Sequence, residues 1–218
     1  MTDPENTQRS HSGRYPRFPG GIWKLAILLL AVVIGWSCDT RKDRPDQIQK
    51  PESISRDTAY AGFPKNVSHI CKDIKRLNNI GFVVGYCEEL KDPVWVVYRI
   101  GTAGSHESHK RPQRFDVDNR TEAKVSHEDY TRSGYDRGHM APNHAIESRY
   151  GREAQLQTFL MSNICPQKPN LNRKVWRELE HKIADDYAER LQEIWIVTGP
   201  VFGKRIERLK SGIAIPEA

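Results

Sequence analysis

Residues 172–197, NRKVWRELEHKIADDYAERLQEIWIV, place a helix and a strand back to back. Val175, Leu179, Ile183, Tyr187 and Leu191 recur every four residues, with Trp176 and Ala184 beside them. That spacing keeps side chains on one helical face and predicts a long amphipathic helix from Asn172, itself a good N-cap residue. On this period Trp176 and Tyr187 read as core rather than as platforms for stacked bases. Residues 194–197 then read as a strand that stops at Thr198-Gly199-Pro200. Further back, 81–87 (GFVVGYC) and 94–100 (VWVVYRI) are short β-branched and aromatic runs around an Asp92-Pro93 turn signal, so they predict a strand pair. Residues 115–117 suggest a short strand and 153–161 a helix. Strands, a long helix and a strand again predict an α+β layered domain.

Between the strand pair and the helix lies Asp136-Arg137-Gly138-His139. An imidazole titrates near neutrality and can take a proton, while a guanidinium offers a forked donor matched to phosphate oxygens. Gly138 between them is expected to let the backbone turn both side chains into one pocket. Phosphodiester cleavage needs a base for water, positive charge at the reacting phosphate and help for the leaving oxygen, and the tetrapeptide supplies the first two. His106, His109 and His127 show no spacing that marks them as metal ligands, and His144, which could touch phosphate, reads first as a packing or surface histidine. Arg120 precedes the motif in a segment that can approach it. Arg120 and Asp136 are the candidates for holding substrate.

The wider block 134–143 (GYDRGHMAPN) resembles the active-site signature of the DNA/RNA non-specific endonuclease family. Residues 158–167 (TFLMSNICPQ), 171–176 (LNRKVW) with Leu179-Glu180, and 91–98 (KDPVWVVY) match further parts of it in order. The resemblance runs over about 82–216 and implies a ββα-metal nuclease fold, a central antiparallel sheet with a long metal-site helix. It implies His139 as general base and Arg137 as transition-state stabiliser. Asn163 would orient the histidine or the metal shell through hydrogen bonds. Asn172 would be the side chain that ligates Mg²⁺ (or Mn²⁺ or another divalent ion), and Glu180 would hold one of its waters. An ion that keeps several waters suits one amide and an outer carboxylate. Asn172 and Glu180 lie eight residues apart, about 80° in helical projection. The substrates implied are DNA and RNA. In the resembling sequences the stretch around Pro216 leads into further strands, so a domain incomplete at its C-terminus, with an exposed sheet edge, is expected.

Net charge is +6 over 218 residues, and arginines recur from Arg99 to Arg152, which favours an anionic partner. Residues 1–24 are polar and basic, and 25–36 (LAILLLAVVIGW) are apolar. That run is short of the about 20 residues that span a bilayer but suits an export signal. Cys38 stands where a lipoprotein signal places its lipidated cysteine, although Gly35 departs from the usual aliphatic residue. Lipidation, an uncleaved membrane anchor and simple cleavage remain open, and each exports the rest to a periplasmic or cell-surface location. Residues 1–38 are thus read as signal or anchor, 39–59 as a flexible linker, and 60–218 as the domain. Cys71, Cys87 and Cys165 form no C-x-x-C pair, which argues against thiolate zinc; Cys71 and Cys87 could pair in an oxidising compartment. The competing reading is a membrane-tethered nucleic-acid-binding protein that no longer cuts. Oligomeric state is not legible in these residues.

Overall fold

The computed structural model describes residues 58–65, 70–104 and 106–217. The leader and nearly all the linker lie outside these residues. Thr58 and Ala59, at the start of the described residues, are buried. Among the described residues no helix is long and apolar enough to cross a membrane.

The two apolar runs form β2 (Phe82–Cys87) and β3 (Asp92–Gly101), paired antiparallel with Val84 opposite Val96. Asp92-Pro93 opens β3 instead of making the turn; the turn uses Lys91 at φ 58°, whose amide donates to the Glu88 carbonyl. β1 (Lys75–Asn79), KRLNN, was not legible as a strand because it is mostly polar, and β2's backbone ladder recruits it. β6 (Glu193–Thr198) pairs with β3, giving the antiparallel order β1-β2-β3-β6 with β6 at one edge.

Every residue of β2 is buried, because both faces of the sheet are covered. Phe82, Val84, Val96, Tyr98 and Ile100 pack with Ala145, Ile146, Ala154, Ala184 and Ala188 of two helices. Val83, Trp95 and Val97 pack on the other face with Ala59 and Phe63. Each such fully buried large side chain stabilises the fold by about 1.5–3 kcal/mol relative to exposure.

β4 (Asp136–His139) and β5 (Ile164–Gln167) form a separate antiparallel pair, with Gly138 opposite Cys165. Helix α1 (Asn143–Thr158) starts ten residues before the expected position. Its early half was hidden because Gly151, at φ 81° and ψ −170°, breaks it into two segments. The strand expected at 115–117 is a single parallel bridge between Asp116 and Leu160.

Helix α2 is a continuous helical run over 171–191, in which π-type stretches Leu171–Trp176 and Lys182–Tyr187 alternate with α turns Arg177–His181 and Ala188–Leu191. Its buried row is not the expected one. Val175, Leu179, Tyr187 and Leu191 are exposed, whereas Glu180, Ala184 and Ala188 face inward beside half-buried Trp176. π turns close over five residues and wind more slowly than 3.6 per turn, so a spacing of four runs straight along the helix. The apolar period was genuine, but one residue away from the buried row. Arg149 joins α1 to both neighbours: it donates to the carbonyls of Gly101 (3.0 Å) and Ala184 (2.6 Å). A short pair, β7 (Glu207–Arg208) and β8 (Ala214–Ile215), completes the described fold.

Candidate active site

In a strand, side chains two apart share a face, so Arg137 and His139 point the same way without any turn. Gly138 has no positive φ. Its lack of a Cβ serves a different need, since a Cβ there would collide with the Gln167 side chain on β5. The glycine leaves room for the Gln167 side chain; the period of the strand aims the chemistry.

Arg137, His139, Asn172 and Glu180 line one cleft of about 270 Å³. Arg111, Asn143, His144, Arg173, Arg177 and His181 complete its wall. His139 is buried between Phe115 and Phe159, with ring centroids at 5.2 and 4.9 Å, and its Nε2 has no hydrogen-bond partner. Burial, with a smaller contribution from the Arg111 charge, lowers its pKa to about 3, so the ring is neutral at physiological pH. Arg137 donates from Nε (3.0 Å) and Nη2 (2.5 Å) to the His127 carbonyl and lies over the Tyr130 ring. A guanidinium carries five N–H donors, so this anchoring leaves others for a phosphate.

Asn172 donates from Nδ2 to Asp136 at 2.9 Å. That contact holds the amide so that its oxygen is the atom left for a cation. Glu180 is half-buried, its buried Oε1 has no partner, and desolvation pushes its pKa up to about 7. The indole of Trp176, one turn before Glu180, donates to the His139 carbonyl at 3.1 Å and ties α2 to β4. A half-buried amide and carboxylate with a buried, unpartnered imidazole beside a polar cavity fit a hydrated divalent cation. Asn172 would bind it directly, and Glu180 would hold one of its waters; the volume exceeds many times the roughly 10–15 Å³ that one water requires.

Two expected roles change. Asp136 does not line the cleft. Its carboxylate takes hydrogen bonds from Arg173 (2.7 and 2.8 Å) and Asn172, which hold its pKa below the usual carboxylate range, and as an anion it would repel phosphate. It positions Asn172 instead. Arg120 does not line the cleft. It is committed to Asp118 (2.7 and 2.9 Å), to the Asn78 carbonyl (2.7 Å) and to Asn79 Oδ1 (2.8 Å), fastening its loop to β1.

Asn163 is fully buried and touches the histidine only through backbone. Its Oδ1 accepts from the Ala141 amide (2.9 Å), and its Nδ2 donates to the carbonyls of Ala141 and Thr158 (both 3.0 Å). It fixes the chain two residues beyond His139. Arg111, Asn143, Arg173 and Arg177 were not singled out from sequence. Arg173 and Arg177 follow Asn172 at one and five positions and could have been found once the helix was placed; Arg111 sits in a loop without periodic signature.

A sheet backed by helices, with a β pair carrying the basic residues and a crossing helix carrying the amide and carboxylate, defines the ββα-metal nuclease fold. The chain belongs to the DNA/RNA non-specific endonuclease family, whose profile matches residues 60–218. Among individual relatives, mitochondrial endonuclease G of Bos taurus is 33% identical over 129 residues, which are 58% of this chain and 42% of that protein. The mitochondrial nuclease of Saccharomyces cerevisiae is 32% identical over 130 residues, 57% of this chain and 39% of that one. The chain thus spans about two fifths of the length of these curated relatives. The solved EndoG/EndoGI complex superposes with a TM-score of 0.62 at 24% identity, covering 77% of this chain and 71% of that one, and shows the shared fold.

Proposed function

We propose that this cleft hydrolyses phosphodiester bonds of DNA and RNA with little sequence preference, in the manner of a divalent-cation-dependent endonuclease. The observation that carries the reading is the set of buried atoms without partners, His139 Nε2, Glu180 Oε1 and Asn143 Oδ1, in one arginine-walled cleft. Buried polar atoms are normally paired, and an orphan at a cleft implies a ligand or water that completes it.

The chemistry follows from these residues. Arg137, Arg173 and Arg177 draw in the phosphate backbone. Contacts of that kind position a nucleic acid without reading its bases. The phosphate's negative charge offsets the effect of Arg111 on the imidazole and raises its affinity for a proton. His139 Nε2 then takes the proton of an attacking water as the new P–O bond forms, and Arg137 stabilises the charge gathering on the phosphoryl oxygens. When bound at Asn172, a Mg²⁺-class ion would supply positive charge to the departing 3′-oxygen. Trp176 and Asp136 hold these groups in register by tying α2 to β4.

The test is nicking of circular plasmid and degradation of RNA by the full chain in detergent, with Mg²⁺ and with chelator. The expected result is cation-dependent cutting of both, reduced about 10²–10⁴-fold in His139→Ala. Equal rates for wild type and His139→Ala, or cutting that ignores chelator, would overturn the mechanism. Binding of nucleic acid with no cutting would favour the tethered binding protein instead. We further propose that the domain works outside the reducing cytosol, at a membrane surface or in the periplasm. The disulfide between Cys71 and Cys87 supports an oxidising compartment.

A further inference from the structure

One cluster at the rim of the cleft has no part in the chemistry above. His144, in the first turn of α1, and His181 with Asp185, one turn apart on α2, converge from two helices. His144 Nε2 lies 3.2 Å from Asp185 Oδ1, and His181 Nδ1 lies 3.3 Å from Asp185 Oδ2. One ligand atom from each residue falls within 4.8 Å of the others, and the two imidazole centroids are 5.8 Å apart. All three side chains are more than half exposed, so an ion can reach them from solvent.

We propose that His144, His181 and Asp185 bind a divalent transition metal of the zinc type, at a position separate from the Mg²⁺-class site at Asn172, and that the bound ion staples α1 to α2. Two imidazole nitrogens and a carboxylate oxygen are a donor set that suits Zn²⁺ and related ions, whereas Mg²⁺ prefers oxygen ligands in an octahedron. Metal–ligand bonds of about 2.0–2.1 Å in a tetrahedron set neighbouring ligand atoms about 3.3–3.4 Å apart. The two histidine–carboxylate separations have that size but run to different oxygens of Asp185, so binding through one oxygen requires the carboxylate to rotate and the imidazoles to close on one another by side-chain rotation. Water would take the fourth position. On their own, exposed contacts of this kind do little to hold two helices together. The other cluster with ligand-like spacing, Cys71, Cys87 and Glu89, is not an alternative, since both its sulfurs are in the disulfide.

The experiment uses untagged full chain in detergent, with the disulfide oxidised, titrated with Zn²⁺ and with Mg²⁺ by calorimetry and followed by thermal unfolding. The variants are the double His144→Ala/His181→Ala, the single Asp185→Asn, and His139→Ala and Asn172→Ala as controls for the cleft centre. Wild type and both controls are expected to bind one Zn²⁺ per chain more than the double variant, with a Zn²⁺-dependent rise in Tm that the double variant lacks. Asp185→Asn should weaken that site at least tenfold. Mg²⁺ should not compete for it. A folded double variant with the same Zn²⁺ stoichiometry, affinity and Tm response as wild type would overturn the proposal. So would loss of all Zn²⁺ binding in His139→Ala or Asn172→Ala, which would place the ion at the cleft centre.

Discussion

Glu180 shows what a buried carboxylate costs when its ligand is absent. Its pKa is about 7 in the fold against about 4.5 unfolded, so the folded chain binds more protons between those values. Stability of the cation-free protein therefore falls as pH rises through that window and stays lower above it. Glu180→Gln, which removes the buried charge, is expected to raise cation-free stability at pH 8 by up to about 3 kcal/mol, since each pKa unit corresponds to about 1.4 kcal/mol. The same change should weaken the Mg²⁺ response of cutting; a denaturation curve at pH 8 and one at pH 4, below both pKa values, where the gain should vanish, check the first claim. Arg120 makes the opposite case. Its removal in Arg120→Ala leaves Asp118 buried with only Ser162 as a side-chain partner, and a loss of about 3 kcal/mol is expected with KM for plasmid unchanged. A raised KM at unaltered stability would return Arg120 to the substrate. His139, Arg137, Asn172 and Glu180 were legible because their neighbours in sequence form motifs. Arg111 and Asn143 were not, because nothing local distinguishes a loop arginine or a helix-opening asparagine that faces a cleft from one that faces water.

At the scale of elements, periodicity found the sheet centre and both helices but misplaced the start of α1 and the row that α2 buries. β2 and β3 were plain from their β-branched runs, whereas β1 has no such run and is held by pairing alone. The α2 stripe was assigned to the neighbouring row because both rows repeat every four residues, so the period alone does not say which one faces the sheet. In α1 the break at Gly151 concealed the first half. Gly151→Ala should destabilise the domain by about 1–3 kcal/mol, since φ 81° with ψ −170° is a region that only glycine occupies comfortably and the new methyl would also press on the His106 ring at 3.3 Å. Thermal unfolding of the variant measures this; a Tm equal to wild type would mean that the two segments can straighten into one helix.

For the molecule as a whole, the disulfide closes a loop across 16 positions, from the segment before β1 to the end of β2. In the chain-entropy account that cross-link contributes about 3 kcal/mol. Reduction with dithiothreitol should lower Tm by several degrees, and a Cys71→Ala/Cys87→Ala variant should match the reduced protein. The α+β class was readable from the order of elements, but which surfaces meet was not, because contacts such as Arg149 to Ala184 join residues 35 positions apart. The straight row on α2 has a last consequence. Asn172, Trp176, Glu180, Ala184 and Ala188 succeed one another at intervals of four, so all are held in phase by the number of residues between them. Losing or gaining a single residue there would swing everything beyond it by about 100° and strip the carboxylate and the alanine contacts from the sheet together. Substitutions along the exposed side can drift freely over evolutionary time, while insertions and deletions inside this helix cannot, and a lineage that accepted one would lose the fold's packing and its cation position in the same event.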